Sequence, residues 1–275
     1  MAGGGSRDED CASTGPMSSE LAPTAGSVSV LGHDVMTETS KVRLRIAAVP
    51  QESRPLYFLN VDELVYLYLT IRGMEPADAR RRTDRILEEL GLAKIRRRLV
   101  STLSGGMRRR AMVAMVLASD AEVVFLDEPT TGLDPIARRE VWTSIRQAIK
   151  DGRTVLLTTH YLDEAEALSS RLALLEGGEV RLEGTPEEIR SRVPQPYRLV
   201  VSGVFGASEL AQYGTVSPVE GGFLVFAREG DARELAQLAL SKGAKVSLGP
   251  VTLEDIFLQV VGKAIDVDDA SEGDA

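Results

Sequence analysis

Apolar residues in the middle of the chain form short runs that are typical of strands in a buried sheet. Val123–Leu126 is apolar on both faces, and Thr154–Thr159 is mostly apolar on both faces as well. Ile46–Val49 predicts a third strand. Strands of this kind occur in parallel sheets that helices cover on both sides. Apolar residues recur at helical spacing in two segments between 61 and 90. The pattern predicts an α/β fold with a mainly parallel sheet and a helical subdomain at about 60–118.

Two segments between the predicted strands carry residues that typically start helices. Ser104 is a good N-cap for a helix that ends near Ser119. Asp134 followed by Pro135 predicts a second helix start, because a carboxylate cap and a proline at the first helical position both favour initiation. We expect three apolar residues on the buried face of that second helix: Trp142, Ile145 and Ile149.

Changes in composition divide the chain into four predicted regions. Residues 1–26 are rich in Gly, Ser, Pro and Thr and are predicted to be a disordered leader. Residues 27–193 hold the alternating strands and helices. Short strands and helices in 194–262 predict a small α+β C-terminal module, and 263–275 is an acidic tail. The module either packs against the main domain or serves dimerisation or ligand sensing, and packing is the simpler interpretation.

Composition excludes several classes of function. The 275 residues carry a net charge of -9, which argues against a general nucleic-acid coat, so we expect no nucleic-acid partner. The sequence has no apolar run of the length that spans a bilayer and no start typical of a secretory signal. Cys11 is the single cysteine and there are two histidines, which excludes an internal disulfide and a His-rich metal centre. We expect a cytoplasmic protein whose membrane contact is peripheral.

Two carboxylates follow one of the predicted strands directly. Asp127 and Glu128 come after Val123–Leu126. In open α/β sheets, ligands bind at the carboxyl ends of the strands. Adjacent carboxylates there suit two tasks, since one holds Mg²⁺ while the other orients or deprotonates a water molecule. As an isolated pair, they would more often be solvated loop acids.

Glycines before a helix suit the binding of an anion. Gly105 and Gly106 follow Ser104, so backbone N–H groups at the helix N-terminus approach a ligand closely. The alternative is an ordinary capped helix with a solvated basic first turn. His160 and Gln51 each follow a predicted strand. Taken alone, a structural histidine and a loop glutamine are the simpler interpretations of these two residues.

Three motifs in this order resemble one protein family. Leu103–Met107 reads Leu-Ser-Gly-Gly-Met, Val124–Pro135 contains the carboxylate pair, and Leu156–His160 reads Leu-Leu-Thr-Thr-His. Together they resemble the ATP-binding subunit of ABC transporters, over residues 28–190, and imply a P-loop NTPase-like fold. Three further segments resemble the subgroup that serves drug, sodium or polysaccharide exporters: Val30–Asp34, Gly184–Ile189 and Val251–Phe257.

The resemblance implies ATP and Mg²⁺ as cofactors and a role for each matching residue. Asp127 would hold Mg²⁺ through water, and Glu128 would be the general base for the attacking water. His160 would contact the γ-phosphate, and Gln51 would sense Mg²⁺ and signal to the membrane subunit. Asp134 would belong to the loop that crosses a dimer interface.

The resemblance also implies two protein partners. Ser104, Gly105 and Gly106 would cap the γ-phosphate of ATP held by an opposite subunit, because domains of this family work as head-to-tail pairs. The pair would act under a separate integral-membrane permease that exports a substrate. We therefore expect a second ATP-binding subunit and a permease, at the inner face of the cell membrane.

One motif that the family requires is missing from the 275 residues. The phosphate loop reads Gly-x-x-x-x-Gly-Lys-[Ser/Thr], and no lysine here follows a glycine and precedes serine or threonine. Gly3–Ser6 is glycine-rich but lacks the lysine, and Met115 stands where the family usually has arginine. We expect the loop, its strand, its helix and the adenine-stacking region to be lost, leaving the domain incomplete at its N-terminus.

Loss of that loop predicts weak ATP binding by the chain alone, since charge-assisted phosphate contacts are worth about 1.5–3 kcal/mol each. A heterodimer with a complete partner, whose phosphate loop is capped by this chain, is favoured over a homodimer. The alternative is a non-catalytic or truncated remnant with a regulatory or scaffolding role. A soluble ABC ATPase acting on DNA or ribosomes is disfavoured, because the chain has one Leu-Ser-Gly-Gly and no long heptad segment.

Overall fold

The computed structural model describes residue 23 and residues 25–50, 56–203 and 205–257. The chain forms two compact units, residues 1–164 and residues 165–275. Most of the predicted leader, Gln51 and the predicted acidic tail lie outside the described residues.

The first unit contains helices and strands in alternation. Its described elements are β1 (Ser29–Val30), β2 (His33–Asp34), α1 (Thr39–Arg45), β3 (Ile46–Val49), α2 (Val61–Ile71), α3 (Pro76–Glu89), α4 (Gly105–Ala118), β4 (Val123–Asp127), α5 (Pro135–Lys150), β5 (Thr154–Thr158) and α6 (Leu162–Leu168), whose last residues belong to the second unit. The predicted strands and the helices at both caps are confirmed.

A parallel sheet organises this unit. Its described strands lie in the order β3-β4-β5, and both pairings are parallel. The register sets Val49 beside Leu126 and Asp127 beside Thr158. Because parallel strands end at the same edge, the residues that follow all three strands come to one side of the molecule.

Helix α4 lies at the centre of the first unit. It contacts α2, α3 and α5 as well as β3 and β4. Every residue in its second half, 111–118, is buried, and a helix that is apolar on all sides needs such surroundings. Ser104 caps it, since the Ser104 hydroxyl accepts a hydrogen bond from the Met107 N–H at 3.3 Å. The residues between this cap and the buried half can therefore reach the edge of the sheet.

Two predictions about burial are wrong. Ile149 is 41% exposed, because the buried face of α5 runs through Val141, Ile145 and Ala148 and Ile149 lies one position past it. β5 is not buried on both faces, since Leu156 is 37% exposed. β4 lies between two strands, whereas β5 ends the described sheet and no described strand pairs with its outer edge.

The second unit holds a hairpin and a four-stranded antiparallel sheet. Its described elements are β6 (Leu172–Glu176), β7 (Glu179–Gly184), α7 (Pro186–Ser191), β8 (Tyr197–Ser202), α8 (Ala207–Leu210), β9 (Gly214–Val219), β10 (Gly222–Ala227), α9 (Glu229–Ser241) and β11 (Lys245–Pro250). The larger sheet has the order β11-β8-β10-β9. Residues from α8 and α9 join strand residues in one core, which includes Leu199, Leu210, Val225 and Leu235. This split β-α-β arrangement gives the C-terminal part the predicted α+β character.

None of the helices that the structure describes has the length and apolar composition needed to cross a membrane.

A network of charges joins the helices of the predicted subdomain. Arg80 on α3 donates two hydrogen bonds of 2.7 Å to the carboxylate of Asp62 on α2. Arg96 contacts both Asp62 and Asp84. The hydrogen bonds from Arg80 and Arg96 outweigh the effect of burial and hold the pKa of Asp62 below its ordinary value.

We predict that this network makes the first unit sensitive to acid. A carboxylate whose folded-state pKa is lowered stabilises the fold fully above its ordinary pKa of 3.8, and this contribution is lost as the pH falls through the lowered pKa. Asp62→Asn should lower the urea midpoint at neutral pH and reduce the loss of stability on acidification. Glu88→Gln is the matched control, because Glu88 is exposed and lies on α3, one of the helices that the network joins. Equal acid dependence in D62N and the wild type would contradict the prediction.

Candidate functional site

Asp127 is held at the end of its strand by the neighbouring strand. It is the last residue of β4 and lies opposite Thr158, the last residue of β5. The Thr158 hydroxyl donates a hydrogen bond to Oδ1 of Asp127. The contact fixes one carboxylate oxygen and leaves the other for a ligand at the carboxyl edge of the sheet.

Glu128 adopts a backbone conformation that is rare for a residue with a side chain. Its φ is +49°, in the left-handed region. The turn places the carboxylate against His160, whose Nδ1 lies 2.9 Å from Glu128 Oε1. The Thr131 hydroxyl donates to the other carboxylate oxygen at 2.9 Å. The two predicted catalytic residues, 32 positions apart, are thus in direct contact.

The electrostatic surroundings keep Glu128 ionised. Burial alone would raise the pKa of Glu128, but the hydrogen bonds from His160 and Thr131, with the charges of His160 and Arg109, hold it below its ordinary value. An ionised carboxylate only accepts hydrogen bonds, so Nδ1 of His160 must be the donor. Nε2 of the neutral imidazole is then an acceptor, and that of the imidazolium is a donor. The His160 side chain is 55% exposed, so a ligand can reach it.

The glycine pair that begins α4 lies against the loop that leads to Asp134. A Cβ placed on Gly106 would lie 2.5 Å from the backbone oxygen of Gly132, whereas one on Gly105 would meet nothing within 4 Å. Asp134 caps α5, and its Oδ1 accepts hydrogen bonds of 3.0 Å from the N–H groups of Ile136 and Ala137. The structure therefore brings the Ser104–Gly106 loop and the Asp134 loop together.

The segment after His160 is anchored to α5. Arg138 lies over the ring of Tyr161, 4.3 Å from its centroid. The indole N–H of Trp142 donates to Oε1 of Glu164 at 2.8 Å, and Glu164 is fully buried. α5 thus connects the Asp134 loop at its start with the His160 segment beside it.

The residues at the sheet edge fit Mg²⁺ that arrives with a nucleotide. Among the described residues, no cluster of three or more His, Cys, Asp or Glu side chains is arranged to hold a metal ion. Mg²⁺ commonly uses one or two carboxylates together with substrate phosphates, and Asp127 with the Thr158 hydroxyl supplies oxygen atoms of that kind. The open space around Gly105, at the N-terminus of a 14-residue helix, suits a phosphate group.

Sequence reasoning found part of this site. Asp127, Glu128 and His160 are brought together, and Ser104–Gly106 lies near the Asp134 loop. Three further residues, Thr158, Thr131 and Arg109, were missed as contributors. Thr131 is close to Glu128 in sequence, and Thr158 lies near the end of the strand predicted next to that of Asp127, so both could have been proposed as hydrogen-bond partners. No local pattern distinguishes Arg109 from its two arginine neighbours.

The sequence is similar to a large family of known proteins. The ABC transporter family model matches residues 16–131. The daunorubicin/doxorubicin resistance ATP-binding protein of Streptomyces peucetius is 36% identical over 259 residues, which cover 90% of this chain and 78% of that protein. The Nod factor export ATP-binding protein I of Rhizobium etli is 32% identical over 251 residues, with 89% and 78% covered. Human ATP-binding cassette sub-family A member 2 is 38% identical over 179 residues, 65% of this chain but 7% of that much longer protein.

Solved structures agree with these sequence relatives. An ATP-binding cassette determined as a dimer in a post-hydrolysis state with ADP and phosphate superposes with a TM-score of 0.57 at 25% identity, over 62% of this chain and 78% of that one. An α/β fold with carboxylates and a histidine at the carboxyl edge of a parallel sheet suits a nucleotide-binding protein. The chain belongs to the ATP-binding subunits of ABC transporters, among those of the exporter type.

We predict opposite effects of alanine at the two glycines of the capping loop. Gly106→Ala should destabilise the first unit by about 1–3 kcal/mol, because the new methyl group meets a backbone oxygen and the 132 loop must move. Gly105→Ala, the matched control, should be neutral or stabilise by up to about 1 kcal/mol, since it only restricts the unfolded chain. Urea unfolding followed by circular dichroism measures both. Equal effects of the two substitutions would refute the close approach at Gly106.

We also predict that the Trp142–Glu164 hydrogen bond stabilises the His160 segment. Trp142→Phe leaves a buried carboxylate oxygen without its donor and should cost about 1–3 kcal/mol. A double-mutant cycle with Glu164→Leu isolates this term from the change in ring size, because the cost of W142F should shrink once the carboxylate is absent. Additive costs in the cycle would contradict the prediction.

Proposed function

We propose that this chain caps the ATP held by a second ATP-binding subunit and keeps, at the edge of its own sheet, the groups that activate water. The observation that carries the proposal is the 2.9 Å contact between Glu128 and His160, directly beside Asp127 at the sheet edge. A histidine and two carboxylates at the ends of neighbouring parallel strands suit the hydrolysis of the β–γ phosphoanhydride bond of ATP.

Each residue of this cluster is assigned one task. Glu128 accepts the proton of the attacking water, since it is ionised and held by His160 and Thr131. His160 contacts the γ-phosphate through its exposed side chain. Asp127, oriented by Thr158, holds Mg²⁺ through water. Bound Mg²⁺ supplies positive charge that offsets charge developing on the phosphate oxygens. Gln51 keeps its predicted task as a Mg²⁺ sensor, although it lies outside the described residues.

The capping role falls to Ser104, Gly105 and Gly106. The first turn of α4 offers backbone N–H groups and the positive end of the helix dipole to an anion, and Ser104 and Gly105 are exposed. Their partner on the opposite subunit is the γ-phosphate of bound ATP, and Asp134 lies at the interface between the two subunits. This arrangement makes capping of a neighbour's nucleotide possible without a phosphate loop on the capping side.

The phosphate loop of the shared site comes from the second subunit in this proposal. The 275 residues contain no Gly-x-x-x-x-Gly-Lys-[Ser/Thr]. β5, whose sequence is that of an inner strand, has half-exposed apolar residues and no described strand on its outer edge. Both observations support a heterodimer in which the partner holds the nucleotide. They equally favour the second candidate function, a regulatory remnant that caps no hydrolysing site.

A permease is the proposed third component, and it would hold the chain at the inner face of the membrane. Four exposed apolar residues form what we call the docking patch: Leu56, Tyr57, Phe58 and Leu99. Backbone hydrogen bonds from Ser101 to Tyr57 and from Val100 to Leu59 hold its two segments together. Arg108 lies 5.3 Å from the Tyr57 ring centroid. A cytoplasmic segment of the permease with an apolar face and acidic flanks fits such a patch.

Binding of a fluorescent ATP analogue tests the shared site. The chain alone should bind weakly, and mixing it with a complete ATP-binding subunit from the same transporter should yield about one tight site per pair. Micromolar affinity of the chain alone would refute the dependence on a partner. No gain on mixing would favour the regulatory remnant instead.

Hydrolysis by the mixed pair tests the assignment of Glu128. Glu128→Gln keeps the size of the side chain, but its amide has one acceptor oxygen where the carboxylate has two and cannot accept the proton of water. The ATPase rate should therefore fall by about 10²–10⁴-fold while nucleotide binding is retained. Glu88→Gln, at an exposed position on α3, is the charge-matched control and should leave the rate unchanged. A similar rate in E128Q and E88Q would overturn the assignment.

A further inference from the structure

Arg109 reaches the ends of two strands from a helix that lies behind them. It is on the first half of α4, five residues after Ser104. Its Nη1 donates to the backbone oxygen of Pro50 at 2.8 Å, and its Nε donates to the backbone oxygen of Glu128 at 3.2 Å. Pro50 follows β3 and Glu128 follows β4. One guanidinium therefore joins the capping helix to the carboxyl ends of neighbouring strands.

The contact at Glu128 falls on a strained backbone. A left-handed φ at a residue with a side chain persists only where its surroundings fix it. At Glu128, the N–H donates to the Thr158 oxygen at 3.0 Å, and the carbonyl oxygen accepts from the Thr131 N–H at 3.3 Å. The hydrogen bond from Thr131 closes a turn within the same short segment of chain. The hydrogen bond from Arg109, in contrast, comes from helix α4. Arg109 thus opposes relaxation of the turn that sets the Glu128 carboxylate beside His160.

The Arg109 guanidinium is partly buried. Desolvation lowers the pKa of Arg109, and the negative charges of Asp127 and Glu128 counteract that effect only partly. Where a donor is partly shielded from water, its hydrogen bond to a carbonyl group is stronger than in water, and a donor without an acceptor is costly. The planar fork of arginine presents donors to two carbonyl groups at fixed angles, which the single ammonium of lysine does not.

We propose that Arg109 is a positioning residue that holds the Glu128 turn and the Pro50 carbonyl to the helix carrying the Ser104–Gly106 loop. Movement of that loop, on capping a nucleotide, is transmitted through α4 to the carboxylate that activates water and to the segment preceding Gln51. The functional meaning of this link rests on the proposed function, but the geometric role of Arg109 does not.

The two neighbouring arginines have different partners, which makes one of them a matched control. Arg108 donates to the Leu103 oxygen at 3.2 Å, and Arg110 pairs with Glu140 at 2.6 Å. Arg110→Gln removes a positive charge from the same turn of α4 without touching Glu128 or Pro50. Arg109→Gln and Arg109→Lys remove the fork, and the lysine variant keeps the charge.

The test uses the full chain without nucleotide, so its outcome is independent of whether ATP binds. The chain has two histidines, His33 and His160, and selective ¹³C labelling reports each one by NMR. His33 lies beside Glu38 at the start of α1 and serves as an internal reference for folding. We expect R109Q and R109K to shift the His160 ring resonances and leave those of His33 unchanged, with R110Q resembling the wild type.

Amide hydrogen exchange gives the second readout. In R109Q and R109K the Glu128 amide should exchange at least about tenfold faster than in the wild type, while amides of β4 before Asp127 keep their rates, because opening of the turn is local. Unchanged His160 resonances and Glu128 exchange in R109Q would overturn the proposal. So would equal changes in R110Q, or changes that extend to His33 and all of β4, since these mark a general loss of stability.

Discussion

The parallel register of β4 and β5 is the constraint on which the candidate site depends. It sets Asp127 beside Thr158 and lets the Glu128 N–H donate to the Thr158 carbonyl. The chain then turns into a left-handed conformation at Glu128. His160, two residues beyond the end of β5, meets the carboxylate there. A slip of one residue would send every side chain to the opposite face of the sheet and separate the acid from the histidine.

Two helices extend this constraint to the rest of the first unit. α4 begins at the glycine pair and contacts the strand ends through Arg109. α5 begins at Asp134 and holds the segment after His160 through Arg138 and Trp142. Each helix therefore begins at a loop that is proposed to face a partner subunit. Further along, side chains of each helix contact the segments that carry Glu128 or follow His160. Packed helices can shift as rigid bodies, which is how the proposed link through α4 would carry movement of the capping loop to the cluster.

Several features escaped prediction for identifiable reasons. Ile149 fits an apolar stripe in sequence, but the stripe is wider than the surface that α5 buries, and the residue at its margin is exposed. β5 has the composition of an inner strand and yet ends the described sheet, because strand composition does not reveal which neighbours are present. Arg109 resembles Arg108 and Arg110 in sequence, and only the rotation of α4 against the strands separates their partners.

The sequence alone determined the alternation of strands and helices, their caps and the family, since hydrophobic periodicity, capping side chains and motifs act over a few residues. It also identified Asp127, Glu128 and His160 as candidates. Only the tertiary structure decided that Glu128 and His160 touch, that Thr158 holds Asp127, and that Gly106 must lack a side chain. These features join residues distant in the chain, so they depend on strand register and helix packing rather than on local preference.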